Sequence, residues 1–292
     1  MNILYRCPIL KVYLLIITRK VAHFKSYLLK QIAVCLFQRK VVIVTGAGGA
    51  IGSAIAQTCA LHGAYVVVAD VNKTAADETT TKIIGEDSNK KDHAMAIELD
   101  VTNEQSIQHL VKSTVDKWNT IDVLVNNAAI FTFGAVEDVT AEAWSRILDV
   151  NVRGYALMAK AVVPIMKKQQ SGSIIQMGSI SSWVAQPEFV PYSTTKGAVL
   201  QMTRNLALDL GPFNIRCNAI CPGAILTPAS ANHAANIKVT LDELIKAQEK
   251  IQCLKRWGTT QEIANLTVFL ASNLCHFATG ASFSADGGYT TI

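Results

Sequence analysis

A β-branched run that breaks directly into a glycine cluster constrains this chain more than any other feature. Lys40–Thr45 reads KVVIVT, and Thr45-Gly46-Ala47-Gly48-Gly49-Ala50-Ile51-Gly52 follows before a helical pattern runs to Leu61. A run that is apolar at successive positions, not at alternate ones, fits a strand covered on both faces of a parallel sheet. Parallel neighbours need long crossovers, usually helical, and the rest of the chain supplies them. Further strands are expected at Tyr65–Ala69, Ala94–Leu99, Ile121–Val125, Ser173–Met177, Ile215–Ile220 and Ala281–Ala285. Helices are expected at Thr74–Ile84, Asn103–Lys117 (Asn103 or Thr102 as N-cap), Ala141–Gln170 with a break near Pro164, Pro191–Leu210 and Gln261–Ala271. Residues 228–255 read as a mobile or helical excursion. The alternation predicts an α/β fold with a doubly wound parallel sheet in a single domain, residues 38–292.

Composition narrows the function classes. Half of the residues are hydrophobic and 17% are charged, enough apolar matter for a sizeable core and too much for general disorder. No run of 18 or more uncharged apolar residues reads as a membrane span. Seven cysteines, an odd number without a C-x-x-C pair, argue against a disulfide framework. The six histidines are scattered, so no metal site is expected. Eight of the 27 basic residues fall in residues 1–40, ahead of the first acid, Asp70. That leaves 19 basic against 22 acidic residues in the remainder, a mildly acidic body that gives no reason to expect nucleic-acid binding. The basic leader, residues 1–37, carries apolar clusters at Val12–Ile17 and Ile32–Phe37. Four readings of it stand: an organelle transit peptide, a secretory signal, a lipid-surface attachment, or a start site ahead of the functional chain. A cytoplasmic location is expected, or a mitochondrial one if the leader is a transit peptide. Membrane contact is expected only if the leader attaches.

The glycine cluster sits between a strand and a helix, where small residues let the backbone approach a pyrophosphate and the first helical N–H groups face it. Asp70 ends the second strand 24 residues after Gly46, near the ~20 expected of an acid that binds the ribose hydroxyls of a dinucleotide. The same carboxylate would repel a 2′-phosphate. Neither the glycine turn nor Val71 and Asn72 offers a cation to hold one, so NAD is favoured over NADP.

Tyr192-Ser-Thr-Thr-Lys196 opens a helix just after Pro191. The i,i+4 spacing places Tyr192 and Lys196 on one face. A nearby ammonium favours phenolate over phenol, and so predicts a lowered Tyr192 pKa and a usable general acid/base. Alone, the same spacing also suits an ordinary helix surface.

Together these pieces make the sequence similar to the short-chain dehydrogenase/reductases, in their compact soluble subtype, over about residues 38–290. The motifs fall in that family's order: TGAGGAIG at 45–52, Asp100-Val101, Asn126-Asn127-Ala128-Ala129, Asn151 within DVNVRG, and Ser179 placed 13 residues before Tyr192. Lys196, Pro222-Gly223, Thr227, RWGTTQEIA at 256–264 and Asp286-Gly287-Gly288 complete them. Ala50 and Ala129 stand where the family usually has glycine, and are tolerable if their φ is negative.

The resemblance implies a Rossmann-type sheet and a hydride transfer between NAD(H) and a secondary alcohol or ketone. Tyr192 would act as acid/base, Lys196 would lower its pKa and hold the nicotinamide ribose, and Ser179 would bind the substrate oxygen. Asn151 would hold a water leading to solvent. It further implies cofactor contacts from Gly46, Gly48, Ile51, Gly52, Asp70, Asn127, Ala128, Pro222 and Gly223, with Asp100 and Val101 at the adenine and Ile225 and Thr227 at the carboxamide. Substrate would be read by Trp183, Gln186, Glu188 and Phe189, and by Asn232, His233, Asn236, Leu241, Leu244 and Ile245, a mixture suited to a sugar, polyol or hydroxy-acid type of alcohol. Two alternatives remain open: a non-catalytic dinucleotide-binding sensor or scaffold, and an NADP-dependent carbonyl or 3-oxoacyl reductase. Apolar positions on the long helices suggest a homo-tetramer or homodimer.

Overall fold

The computed structural model describes residues 36–85 and 92–291. All but the last two residues of the leader therefore lie outside the described residues. Leu36 and Phe37 belong to the folded body. Phe37 is 1% exposed, packs into the core and donates its N–H to the His62 carbonyl.

Seven parallel strands form one sheet in the order β3-β2-β1-β4-β5-β6-β7. They are β1 (Val41–Thr45), β2 (Tyr65–Asp70), β3 (Ala94–Glu98), β4 (Val123–Asn126), β5 (Gly172–Met177), β6 (Ile215–Pro222) and β7 (Ser282–Ala285). The intervening helices are α1 (Ala50–Leu61), α2 (Lys73–Ile84), α3 (Glu104–Trp118), α4 (Ala141–Leu148), α5 (Gly154–Gln169), α6 (Val190–Leu210), α7 (Pro228–Asn236), α8 (Leu241–Ile251) and α9 (Thr260–Ala271). The expected excursion at 228–255 is thus the helix pair α7 and α8.

Strand periodicity explains the uninterrupted apolar run of β1. Val42 and Val44, with Val66 and Val68 of β2, turn to one face and pack with Ile55 of α1 and Val268 of α9. Ile43 and Val67 turn to the other and pack with Leu110 of α3 and Met158 and Val162 of α5. Both faces are dry, and each such side chain contributes roughly 1.5–3 kcal/mol by leaving water.

The long helix expected over Ala141–Gln170 is interrupted, but not at Pro164. Asp149–Arg153 forms a π-helical segment between α4 and α5, while α5 runs through Pro164 unbroken. Val162 and Met166 on either side are fully buried, and their packing offsets the roughly 3 kcal/mol that an internal proline costs. The strand order reverses between β1 and β4, and the carboxyl ends of these strands open the crevice in which doubly wound sheets bind ligands.

Candidate active site

The glycine turn between β1 and α1 has the backbone its sequence requires. Gly46 is left-handed, with φ at +65°. A Cβ on Gly52 would lie 2.2 Å from the Gly46 carbonyl oxygen, and one on Gly48 would lie 3.0 Å from the Asp70 carboxylate. Ala50 is the first residue of α1, and neither it nor Ala129 has positive φ, so both departures from glycine are accommodated without strain. Asp70 folds back onto the turn: its Oδ2 accepts from the Gly48 N–H at 2.9 Å and its Oδ1 from the Asn72 N–H at 2.9 Å. The N-terminus of α1 carries no side-chain cap, whereas α2, α3, α4, α8 and α9 are capped by Asn72, Asn103, Thr140, Thr240 and Thr259. An uncapped N-terminus, with glycines that permit close approach, has the donor chemistry a pyrophosphate needs. A cavity of about 740 Å³ is lined by Gly46 of this turn and by Asp70, Asp100, Val101, Ala128 and Arg146 among others. The residues present therefore fit the adenosine and phosphate portion of a dinucleotide.

Thr45 and Asn127 join the two central strands. Thr45 Oγ1 accepts the N–H groups of Asn127 and Ala128 and donates to the Val125 carbonyl, and Asn127 Nδ2 donates to the carbonyls of Thr45 and Gly46. The described contacts of Asn127 thus hold the turn in place. Ile51 packs against the core, and Gly223, Ile225 and Thr227 shape the exit from β6. A Cβ on Gly223 would strike Asp286 at 2.8 Å, Ile225 is buried, and Thr227 N-caps α7 in a capping box with Ser230. Pro222 closes β6 opposite Ala285.

The catalytic candidates converge at the end of β5. Ser179 follows that strand, accepts from the Ser181 N–H at 3.1 Å and donates to Ser181 Oγ at 3.2 Å. Ser181 in turn donates to Gln186 Oε1. Tyr192 and Lys196 lie on the first turns of α6, 7% and 1% exposed. The ammonium sits 5.6 Å from the centre of the Tyr192 ring and donates to the Met177 carbonyl at 2.7 Å.

The pKa shifts correct the sequence expectation for Tyr192. Burial pushes the phenol up, and only the Ser179 hydroxyl pulls it down. Burial also pushes Lys196 down to about 8. The Lys196 proton is directed at a carbonyl, not at the phenol oxygen, so desolvation outweighs the expected lowering by Lys196.

Asn151 lies beside this site in the chain's π-helical segment. It is fully buried in the π-helical segment, and its side chain clamps Ile130: Oδ1 accepts the Ile130 N–H, and Nδ2 donates to the Ile130 carbonyl, each at 2.9 Å. Nδ2 also donates to Thr195 Oγ1 at 3.2 Å. Both amide protons are therefore committed, and the side chain positions the loop after β4 against α6.

Sequence reasoning missed Phe131 and Phe133 in that loop. Phe131 stacks on Tyr192, ring centres 4.7 Å apart and planes 23° apart, and Phe133 stacks on Phe131 at 5.8 Å. Phe189 stands edge-on to Tyr192 at 6.1 Å. The available signal was two aromatics, two residues apart, in the loop five to seven residues after a strand end. Gly134 bonds to the Glu188 carbonyl and bridges Phe189, tying this loop to the one after β5. Of the other expected specificity residues, Trp183 is exposed and Leu244 is buried.

Among the described residues, no group of three or more His, Cys, Asp or Glu could hold a metal ion, and no helix is long and apolar enough to cross a membrane. A family model described as enoyl-(acyl carrier protein) reductase matches residues 46–290. The trans-4-hydroxycyclohexanecarboxylate dehydrogenase of Sinomonas cyclohexanicum is 39% identical over 86% of this chain and 93% of its own length. The meso-2,3-butanediol dehydrogenase of Serratia marcescens is 32% identical over 87% of this chain and 96% of its own. A crystal structure from Sinorhizobium meliloti 1021, assigned as a short-chain alcohol dehydrogenase, superposes with a TM-score of 0.80 at 29% identity, over 87% of this chain and 98% of that one.

Proposed function

The chain belongs to the short-chain dehydrogenase/reductase family, and on that premise we propose that it interconverts a secondary alcohol and its ketone with NAD as hydride carrier. The observation that carries this reading is the meeting of Ser179, Tyr192 and Lys196 at one end of the crevice whose other end is the glycine turn and Asp70. Two relatives described above are named as dehydrogenases of secondary alcohols.

When bound, a nicotinamide dinucleotide accepts or supplies the hydride. The protein handles the proton and the geometry. Ser179 holds the substrate oxygen and stabilises charge developing on it. In reduction Tyr192 gives its phenolic proton to that oxygen, and in oxidation it takes the hydroxyl proton back. Lys196, charged below a pKa of about 8, offers a donor toward ribose hydroxyls. The Gln186–Ser181–Ser179 chain fixes the serine rotamer. Asp70 supports NAD because its carboxylate faces the glycine turn. Arg146 lines the same cavity, and it is the one observation that favours NADP as a second reading.

Tyr192→Phe should bind NADH, by its fluorescence enhancement, with unchanged affinity, while turnover of any alcohol or ketone falls by about 10³-fold or more, within the range of general acid/base loss compounded by a misplaced substrate. Retained turnover would remove Tyr192 from the chemistry. Absence of turnover in the unmutated chain despite NADH binding would favour a sensor or scaffold. We further infer a homo-oligomer, dimer or tetramer, because Leu148 at the end of α4 and Leu208 of α6 are exposed. Sedimentation of a monomer alone at micromolar concentration would reject it.

A further inference from the structure

Beyond Ser179, the recess above Tyr192 is walled by aromatic rings. Phe131 covers one face of the tyrosine ring and Phe133 continues the stack, with planes 23° apart at each step. Phe189 closes the side at 84° to Tyr192 and packs 4.7 Å from Phe133. One polar group enters this wall. His233 of α7 lies 5.1 Å from the Phe133 ring and 5.8 Å from the Phe189 ring. Its Nδ1 is buried without a hydrogen-bond partner. A buried ring nitrogen left unpaired is costly, and the surrounding aromatics offer it no partner. Burial pushes its pKa down, against the charged form.

We propose that this recess takes a ring-shaped, uncharged secondary alcohol or its ketone, whose far side carries a neutral polar group that hydrogen-bonds to His233 Nδ1. The inference rests on the alcohol–ketone reading above and names the substrate class of that same site. A flat or alicyclic body matches stacked aromatic faces, which gain most by covering apolar area. A polyol would lose the hydration of every hydroxyl that does not reach Ser179 or Tyr192, with only His233 in exchange. The residues of this wall therefore shift the substrate expectation away from sugars and toward rings. A charged distal group is disfavoured because no cation is among the wall residues.

The test uses the full chain with saturating NAD⁺ and follows NADH at its absorbance band with cyclohexanol, 4-acetamidocyclohexanol and an acyclic hexitol. Both ring alcohols should exceed the hexitol in kcat/KM by about 100-fold, as several apolar groups discriminate together. The amide should improve on plain cyclohexanol by about tenfold, the worth of one hydrogen bond to an otherwise unpaired group. His233→Leu should abolish that amide-to-plain ratio, and His233→Gln, which keeps a polar group there, should restore most of it. Phe133→Ala should shrink the ring-to-hexitol ratio about tenfold, the effect of losing one stacked face. Ratios are insensitive to partial misfolding, and circular dichroism identifies a variant that does not fold. Hexitol turnover equal to that of the rings, or an amide advantage unchanged in His233→Leu, would overturn the proposal while leaving the hydride-transfer reading intact. If no alcohol or ketone turns over although NADH binds, that reading fails and the proposal with it.

Discussion

Asp70 is the residue on which cofactor choice turns, and Asp70→Asn isolates its charge. In the folded chain both carboxylate oxygens already accept a backbone N–H at 2.9 Å, from Gly48 and Asn72, and each keeps a lone pair for a ribose hydroxyl. A hydrogen bond to a charged group is worth about 1.5–3 kcal/mol against about 1 for a neutral one. Two ribose bonds weakened in this way should therefore lower kcat/KM for NAD⁺ by roughly 10- to 100-fold, at 1.4 kcal/mol per decade. A 2′-phosphate near the native carboxylate would meet about 4 kcal/mol of repulsion per charge pair at 4 Å in an effective dielectric near 20. Asp70 is half-exposed, so solvent screening reduces this to about 2 kcal/mol. The unmutated protein should thus prefer NAD⁺ over NADP⁺ by about 10³-fold in kcat/KM, and Asp70→Asn should bring the ratio within about 30-fold. The amide has only one oxygen for two facing N–H groups, so one N–H is left unpaired, at about 1–3 kcal/mol. For a chain of this size that lowers Tm by roughly 2–8 °C. Initial rates with each dinucleotide, over a range of its concentrations, read the ratio directly. Equal use of NADP⁺ by the unmutated chain, or a ratio that Asp70→Asn does not move, would refute the assignment.

Gly52→Ala places a methyl carbon 2.2 Å from the Gly46 oxygen and 2.7 Å from Asn127 Nδ2. It should weaken NADH binding about tenfold or more, read by fluorescence titration, because overpacking of about 1–3 kcal/mol must displace α1 or the turn. Lys196 has a folded pKa of about 8, below its ordinary 10.5. Between those values the unfolded chain binds the extra proton, so this lysine makes stability rise with pH from about 8 to 10.5. Urea midpoints across that window should rise less, or fall more, in Lys196→Met than in the unmutated protein, and parallel pH profiles would deny the buried ammonium its shift.

The parts of the site set by neighbours in sequence were legible before any coordinates. A strand, a left-handed Gly46 and an uncapped helix are a local geometry, and so is the shared face of Tyr192 and Lys196. The direction of the Tyr192 shift was not legible, because burial comes from the whole surround, including Met177, Cys221 and Tyr155, which meet only in the fold. Asn151 was legible as a site residue, but its clamp on Ile130 was not. A one-turn π segment leaves no mark in a 3.6-residue pattern, and that segment is what places the asparagine beside Ile130. Pro164 misled in the opposite sense, since proline weakens a helix without dictating where a well-packed one gives way. Phe131 and Phe133 sat in a loop, where aromatics carry no periodic signal, so the wall of the recess became visible only once Gly134 was seen tied to Glu188 and Phe189.

The single hydroxyl of Thr45 has mechanical consequences beyond its size. It is fully buried and is shared among three backbone groups of the strand and loop alongside. A valine would pack there as well as its four predecessors in β1 but would leave two amide protons stranded. The glycine turn after β1 and the loop after β4 are consequently one stiff piece across the sheet's midline.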